Sequence, residues 1–208
     1  MKIMVGIVDY GMGNLLSVRH ALESLGADTA ILADPEELAD ADRLVLPGVG
    51  AFAEGIRRLR ETGLADALGK AVKDRLVPIL GICLGMQLMA RRGFEGGVHD
   101  GLGWFDGDVV RLPQESADVR LPHVGWNDVS PRTQSVLFRG LPACADFYFV
   151  HSYHLRCRDG RDVEAACEYG VSFAAAVRKD HVFATQFHPE KSQDHGLRVL
   201  ENFLQWRP

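Results

Sequence analysis

The sequence predicts an α/β fold: an open, mostly parallel sheet with helices on both faces, plus a β-rich second half. Three observations carry this. Short apolar runs alternate with segments of helical period through the first half, the pattern of βαβ units. The run 77–82 is almost continuously apolar, as expected of a strand covered on both faces. From residue 101 to 187 the signals become short strands and turns, so the second half inserts into or extends the α/β unit.

The elements follow in order. Residues 3–8 are an apolar strand, and Leu15, Val18, Leu22 and Leu25 share one face of the helix after it. A short strand at 30–33 leads to Asp34-Pro35-Glu36-Glu37, which reads as an N-cap, a proline at the first helical position and a capping acid. A strand at 43–46 precedes a long helical region with Leu64, Leu68 and Val72 at four-residue spacing. After the strand at 77–82 comes a helix with Leu84 and Leu88 on one face. In the second half, 109–112, 147–153 and 182–187 read as strands. Leu197, Leu200 and Leu204 mark a closing helix over 192–206. There is no repeat, low-complexity tract or obvious linker.

Composition narrows the class. A chain of 208 residues can bury a sizeable core. Its 47% hydrophobic and 25% charged residues are ordinary for a soluble globular protein. A net charge of -5 does not suggest a nucleic-acid surface. No apolar run is long enough to span a bilayer, and Asp9 interrupts the first one too early for a signal peptide. Cys83, Cys144, Cys157 and Cys167 lack metal-type spacing. Together these features point to a reducing, cytoplasmic setting.

The first strand ends in Asp9-Tyr10-Gly11-Met12-Gly13-Asn14-Leu15, where many proteins hold a phosphate. The dinucleotide fingerprint needs a third glycine three residues after the second, and Leu16 stands there. Asp34, placed for a ribose, is explained by helix capping. A second near match, Gly63 to Gly69-Lys70-Ala71, has the wrong spacing and no hydroxyl for magnesium. The opening therefore reads as a strand-to-helix turn with Asn14 as N-cap. That leaves Tyr10 and Met12 unexplained.

The strongest chemical signal is Gly81-Ile82-Cys83-Leu84-Gly85-Met86-Gln87. It is a nucleophile elbow with cysteine in the nucleophile slot. The flanking glycines allow the close approach of strand and helix that such a strained turn demands. The helix N-terminus favours the thiolate and offers N–H groups to an oxyanion. A free cysteine is ordinarily a buried structural residue, but strand before and helix after favour the nucleophile.

A thiolate nucleophile needs a base and a group to orient it. His188-Pro189-Glu190 ends the strand 182–187. Pro189 biases His188 to an extended backbone, so Glu190, two residues on, can reach the imidazole. Strand ends are where parallel-sheet sites lie. Among the other histidines, His20 reads as solvated in the first helix. His151 and His154 read as opposite faces of one strand run, 147–155. His99, His123, His181 and His195 read as lying in polar turns or at a helix start without an orienting acid. A third strand-end element is Leu46-Pro47-Gly48-Val49-Gly50-Ala51-Phe52. It reads equally as another strand-to-helix turn or as a backbone that completes an oxyanion hole with the Leu84 N–H.

These residues resemble a known family. The cysteine elbow, Phe187-His188-Pro189-Glu190 and Pro47-Gly48-Val49-Gly50-Ala51-Phe52 look like the class I (triad) glutamine amidotransferases. The chain from Val8 to Leu15, His123-Val124-Gly125-Trp126-Asn127 and Tyr148-Phe149-Val150-His151-Ser152-Tyr153 are similar to one branch. That branch is the glutaminase subunit of imidazole glycerol phosphate synthase, in histidine biosynthesis. The resemblance implies a flavodoxin-like fold over 1–208 as one glutamine amidotransferase domain. It implies a catalytic triad of Cys83, His188 and Glu190, with Val49, Gly50 and Leu84 at the oxyanion hole. Gln87, His151, Ser152 and Tyr153 match positions that hold the substrate glutamine. Ammonia would pass to a separate (β/α)8 cyclase subunit in a heterodimer, with no metal or organic cofactor on this chain. Tyr10, Met12, Asn14, Trp126 and Lys191 match the cyclase-facing side. One departure stands out: Ala90-Arg91-Arg92-Gly93-Phe94-Glu95 occupies a stretch that is often acidic in the family.

Other readings compete. A triad glutaminase of another synthase (anthranilate, guanylate or pyridoxal phosphate) would lack the Tyr10 to Asn14 opening. A cysteine peptidase on a similar fold would not need the Phe187 to Glu190 ending. A subunit that had lost turnover would lack Cys83 or His188.

Overall fold

The computed structural model describes residues 3–114 and 119–207. In chain order the elements are β1 (Met4–Val8), α1 (Leu15–Ser24), β2 (Asp28–Leu32), β3 (Arg43–Gly48), α2 (Phe52–Glu61), α3 (Leu64–Lys73), β4 (Ile79–Cys83) and α4 (Leu84–Leu88). Then come β5 (Ala90–Gly93), β6 (His99–Asp100), β7 (Phe105–Arg111), β8 (His123–Pro131), β9 (Ala145–His151), β10 (Tyr153–Cys157), β11 (Val163–Tyr169), β12 (Val171–Lys179), β13 (Val182–Thr185) and α5 (Gln193–Gln205).

Nine strands make one sheet in the order β2-β1-β3-β4-β13-β12-β11-β8-β9. The links from β2 to β13 are all parallel. Those from β13 to β9 are all antiparallel. Five strands of the β-rich half, β8, β9, β11, β12 and β13, thus continue the parallel sheet, which makes the sheet mixed. A second sheet, β10-β7-β5-β6, stands beside it.

Alternation along the central strands builds a core on each face. On one face, Leu44 and Leu46 of β3, Ile79 of β4 and Ala184 of β13 meet Leu59, Leu64 and Leu68 from α2 and α3. On the other, Val45, Leu80, Ile82 and Phe183 meet Val18 and Leu22 of α1 and Val199, Leu200 and Phe203 of α5. Parallel strands bring their carboxyl ends to one edge. Gly48 and Cys83 are register partners there, and Thr185 pairs with Ile82.

Four local expectations need correction. The long helical region is two helices, because Gly63 takes a left-handed φ of 76° between them. The Asp34 capping box forms, but the segment it opens, Pro35–Asp40, is a 3-10 helix. Asn14 sits at the N-cap of α1 yet makes no side-chain cap bond. The run 147–155 breaks at Ser152 into β9 and β10, which belong to different sheets.

Two glycines separate close approach from open space. A Cβ on Gly85 would collide with the Leu46 carbonyl, whereas one on Gly69, inside α3, would meet nothing within 4 Å. Gly85→Ala is therefore expected to destabilise the fold by about 3 kcal/mol, and Gly69→Ala to stabilise it by about 0.5–1 kcal/mol. Urea unfolding midpoints of the two variants check both signs.

Candidate active site

Cys83 ends β4 at the turn into α4, with φ 54° and ψ -108°. Positive φ is costly for a residue with a side chain. Here the surroundings enforce it. A Cβ on Gly81 would lie 2.9 Å from the Met86 nitrogen, and Gly85 rests against Leu46 of β3. The elbow holds because neither flank has a side chain. The helix that follows is only Leu84–Leu88, so its contribution is the free N–H groups of its first turn more than a long macrodipole.

His188 follows β13. Its N–H donates to the Tyr148 carbonyl on β9 (3.0 Å), and its carbonyl accepts from the Ser192 hydroxyl (2.6 Å). Nδ1 lies 2.8 Å from Glu190 Oε1, and both side chains are almost fully buried. The expected pair therefore forms, but by a different backbone: His188 is extended, as Pro189 predicts, whereas Glu190 lies in a 3-10 turn, Pro189–Lys191, that brings its carboxylate back to the ring. Nε2 has no hydrogen-bond partner among the described residues and shares a pocket with Cys83. Burial pushes the imidazole down, but the Cys83 sulfur and the Glu190 carboxylate outweigh it and raise its pKa to about 10.

That pocket has a volume of about 300 Å³, at the small end for ligand sites. It brings together Cys83, Leu84, Gln87, Val49, Gly50, His151, Ser152, Tyr153 and His188. Of these, the sequence itself points to Cys83 and His188 as nucleophile and base, and the family resemblance implies the others as oxyanion-hole and substrate contacts. Three further residues, Glu95, Pro122 and Val150, also line it. Glu95 belongs to the departing stretch 90–95. Its carboxylate accepts from the Phe52 N–H at the start of α2 (2.8 Å), while Arg91 and Arg92 pair with Asp108. The charges of that stretch are thus compensated locally.

Gln186 was missed altogether. It is fully buried, its Nε2 lies 3.7 Å from Cys83 Sγ, and its Oε1 accepts from Gln87 Nε2 (3.1 Å). Gln87 Nε2 also donates to the Tyr153 carbonyl (2.9 Å). A polar residue beside the histidine was the available signal, but only the fold shows which way it faces.

The residues read as cyclase-facing separate into groups. Trp126 is 45% exposed, Lys191 is exposed, and Met12 and Asn14 are half-buried. Tyr10 is a correction: it is 3% exposed and presents no side-chain surface for docking. Its hydroxyl occupies the space beside Gly48 that a side chain there would fill, and Met12 packs over Gly50 in the same way. The reading of the other histidines also changes. His123 is a buried residue of β8. His195 does have an acid, with Nδ1 3.0 Å from Asp146 Oδ1. His151 and His154 are both buried, on separate strands.

A mixed sheet with a cysteine elbow at a parallel strand end, a histidine–glutamate pair beside it and a glycine turn facing both defines an amidotransferase-type site. Residues 6–206 match the family model described as glutamine amidotransferase class-I, and the chain belongs to that family; it is a glutamine amidotransferase. Its relatives include the imidazole glycerol phosphate synthase subunit HisH 1 of Campylobacter jejuni (strain RM1221), 49% identical over 97% of this chain and 99% of that one. The HisH subunit of Moorella thermoacetica is 47% identical over 96% of this chain and 93% of its own length. Among solved structures, PurLQS from Thermotoga maritima superposes with a TM-score of 0.77 over 98% of both chains at 20% identity, a likeness of fold.

Because the His188 pKa is raised, its stabilising contribution is complete below its ordinary value of about 6.5 and lost as pH rises through about 10. Glu190→Gln removes one of the groups that raise it. The His188 titration midpoint, followed by NMR, is expected to fall by roughly 1–3 units; an unmoved midpoint would contradict the pairing.

Proposed function

We propose that this chain is the glutaminase subunit of an imidazole glycerol phosphate synthase, acting as one domain through a Cys83, His188 and Glu190 triad. The observation that carries the reading is the single pocket in which Cys83 and His188 meet the 48–50 turn and the 151–153 wall. Cys83 attacks the side-chain amide carbon of glutamine. The C–S bond forms, the C–N bond breaks, and His188 delivers the thiol proton to departing ammonia. Glu190 holds Nδ1, so that Nε2 faces the reacting groups. Water then attacks the thioester, with His188 as base, and glutamate leaves.

Both steps pass through an oxyanion. The Leu84 N–H and the N–H groups of Val49 and Gly50 are its donors. Gly50 has a φ of 99°, which a side chain resists, so the turn keeps this shape only with glycine there. Gln87, His151, Ser152 and Tyr153 form the wall that holds the rest of glutamine.

Ammonia goes to a separate (β/α)8 cyclase subunit, which makes imidazole glycerol phosphate and aminoimidazole carboxamide ribonucleotide. The docking face suited to it lies on β8 and β9. Val124 and Val150 are cross-strand partners and both exposed, next to exposed Trp126. Lys191 Nζ lies 5.9 Å from the Tyr148 ring centroid. An exposed apolar patch with an aromatic anchor is the usual form of a protein interface. Four unpaired cysteines fit a cytoplasmic location.

Cys83→Ala is expected to abolish glutamine-dependent synthesis by the complex while leaving synthesis from added ammonia; loss of both would sink this division of labour. Trp126→Ala is expected to weaken association with the cyclase by about tenfold or more, measured by titration calorimetry.

A further inference from the structure

Two buried histidines face each other at the rim of the pocket. His123 opens β8, His151 closes β9, and the two are cross-strand partners. They are 2% and 6% exposed. His123 Nδ1 lies 3.0 Å from His151 Nε2, His151 Nδ1 lies 2.8 Å from the Tyr153 carbonyl oxygen, and His123 Nε2 lies 3.2 Å from Asn127 Nδ2.

These contacts have one consistent set of hydrogens. A carbonyl only accepts, so His151 Nδ1 carries its proton. Burial pushes His151 down to about 3 and His123 down to about 4, so each ring is neutral with a single N–H. His151 Nε2 is then an acceptor, and His123 Nδ1 must donate to it. His123 Nε2 in turn accepts from Asn127 Nδ2, which also donates to the Glu168 carbonyl (3.1 Å). The series runs one way, from Asn127 through both histidines to the Tyr153 oxygen. That oxygen also accepts from Gln87, which continues through Gln186 to the sulfur of Cys83.

We infer that His123 is a positioning residue for the glutaminase reaction: by donating to His151 it fixes the Tyr153 carbonyl and the 150–153 wall against which glutamine lies. The effect on glutamine rests on the substrate-wall reading given above; the relay itself does not. His123 touches no reacting atom. It acts through an N–H that only one tautomer provides.

A packing role makes a different prediction. The His123 ring stacks between Tyr169 (centroids 3.9 Å apart) and Phe149 (4.8 Å), and any flat ring would serve there. His123→Phe keeps a ring and removes the donor. His123→Asn removes the ring and keeps an N–H where Nδ1 stood.

In the complex with the cyclase, His123→Phe is expected to raise KM for glutamine about tenfold, since it leaves a buried acceptor unpaired. The accompanying loss in kcat is expected to be under about threefold, and His123→Asn is expected to restore KM to within about threefold of wild type. A phenylalanine variant equal to or better than the asparagine variant overturns the proposal. Nitrogen-15 NMR of the imidazoles in the unmutated chain gives an independent test. Both histidines are expected as neutral Nδ1–H tautomers between pH 6 and 8, and either one found charged or as Nε2–H overturns it. If the unmutated complex does not hydrolyse glutamine, the functional reading fails, while the tautomers still decide the relay.

Discussion

The active site depends on how closely α4 approaches β3. Gly85 lies against the Leu46 carbonyl with no room for a side chain. This contact presses the start of α4 onto the neighbouring strand and forces the chain through Cys83 at φ 54°. It also places the 48–50 turn next to the sulfur, since Gly48 and Cys83 share a register. Strain at one residue is held by packing at another, the usual arrangement at a nucleophile elbow. The parallel sheet supplies the rest, because its strands deliver Cys83 and the segment leading to His188 to the same edge.

Within one pocket the histidines are divided by their neighbours. His188 is raised to about 10, because Cys83 and Glu190 overcome the effect of burial. His151, which lines the same pocket, is lowered to about 3 chiefly by burial. One imidazole is kept ready to hold a proton and the other is kept neutral. The first state suits the acid–base role proposed for His188, and the second suits directed hydrogen bonding.

What the sequence made legible was local. The elbow could be read because its two glycines and its cysteine lie within five residues. The His188 and Glu190 pair could be read because the two lie two residues apart at a strand end, although a 3-10 turn and not extended backbone brings them together. The apolar period marked β1, α1 and α5 closely, but it ran α2 and α3 together. What it hid was long-range. Tyr10 looked like an exposed decoration because its place beside Gly48 exists only once β1 and β3 are neighbours. The His123 and His151 pair spans 28 residues and Gln186 to Cys83 spans 103; neither leaves a periodic trace. The break of 147–155 into β9 and β10 was hidden because both halves have strand character.

In the proposed reaction the elbow, not exposure, makes Cys83 the nucleophile. Cys83 is 6% exposed, whereas Cys144 is an exposed thiol. The direct measurement is mass-spectrometric mapping after treatment with a glutamine analogue carrying a chloroketone in place of the amide. The account predicts a covalent adduct on Cys83, blocked by excess glutamine, with Cys144 unmodified at the same time point. An adduct on Cys144 or Cys157 with Cys83 intact would contradict it.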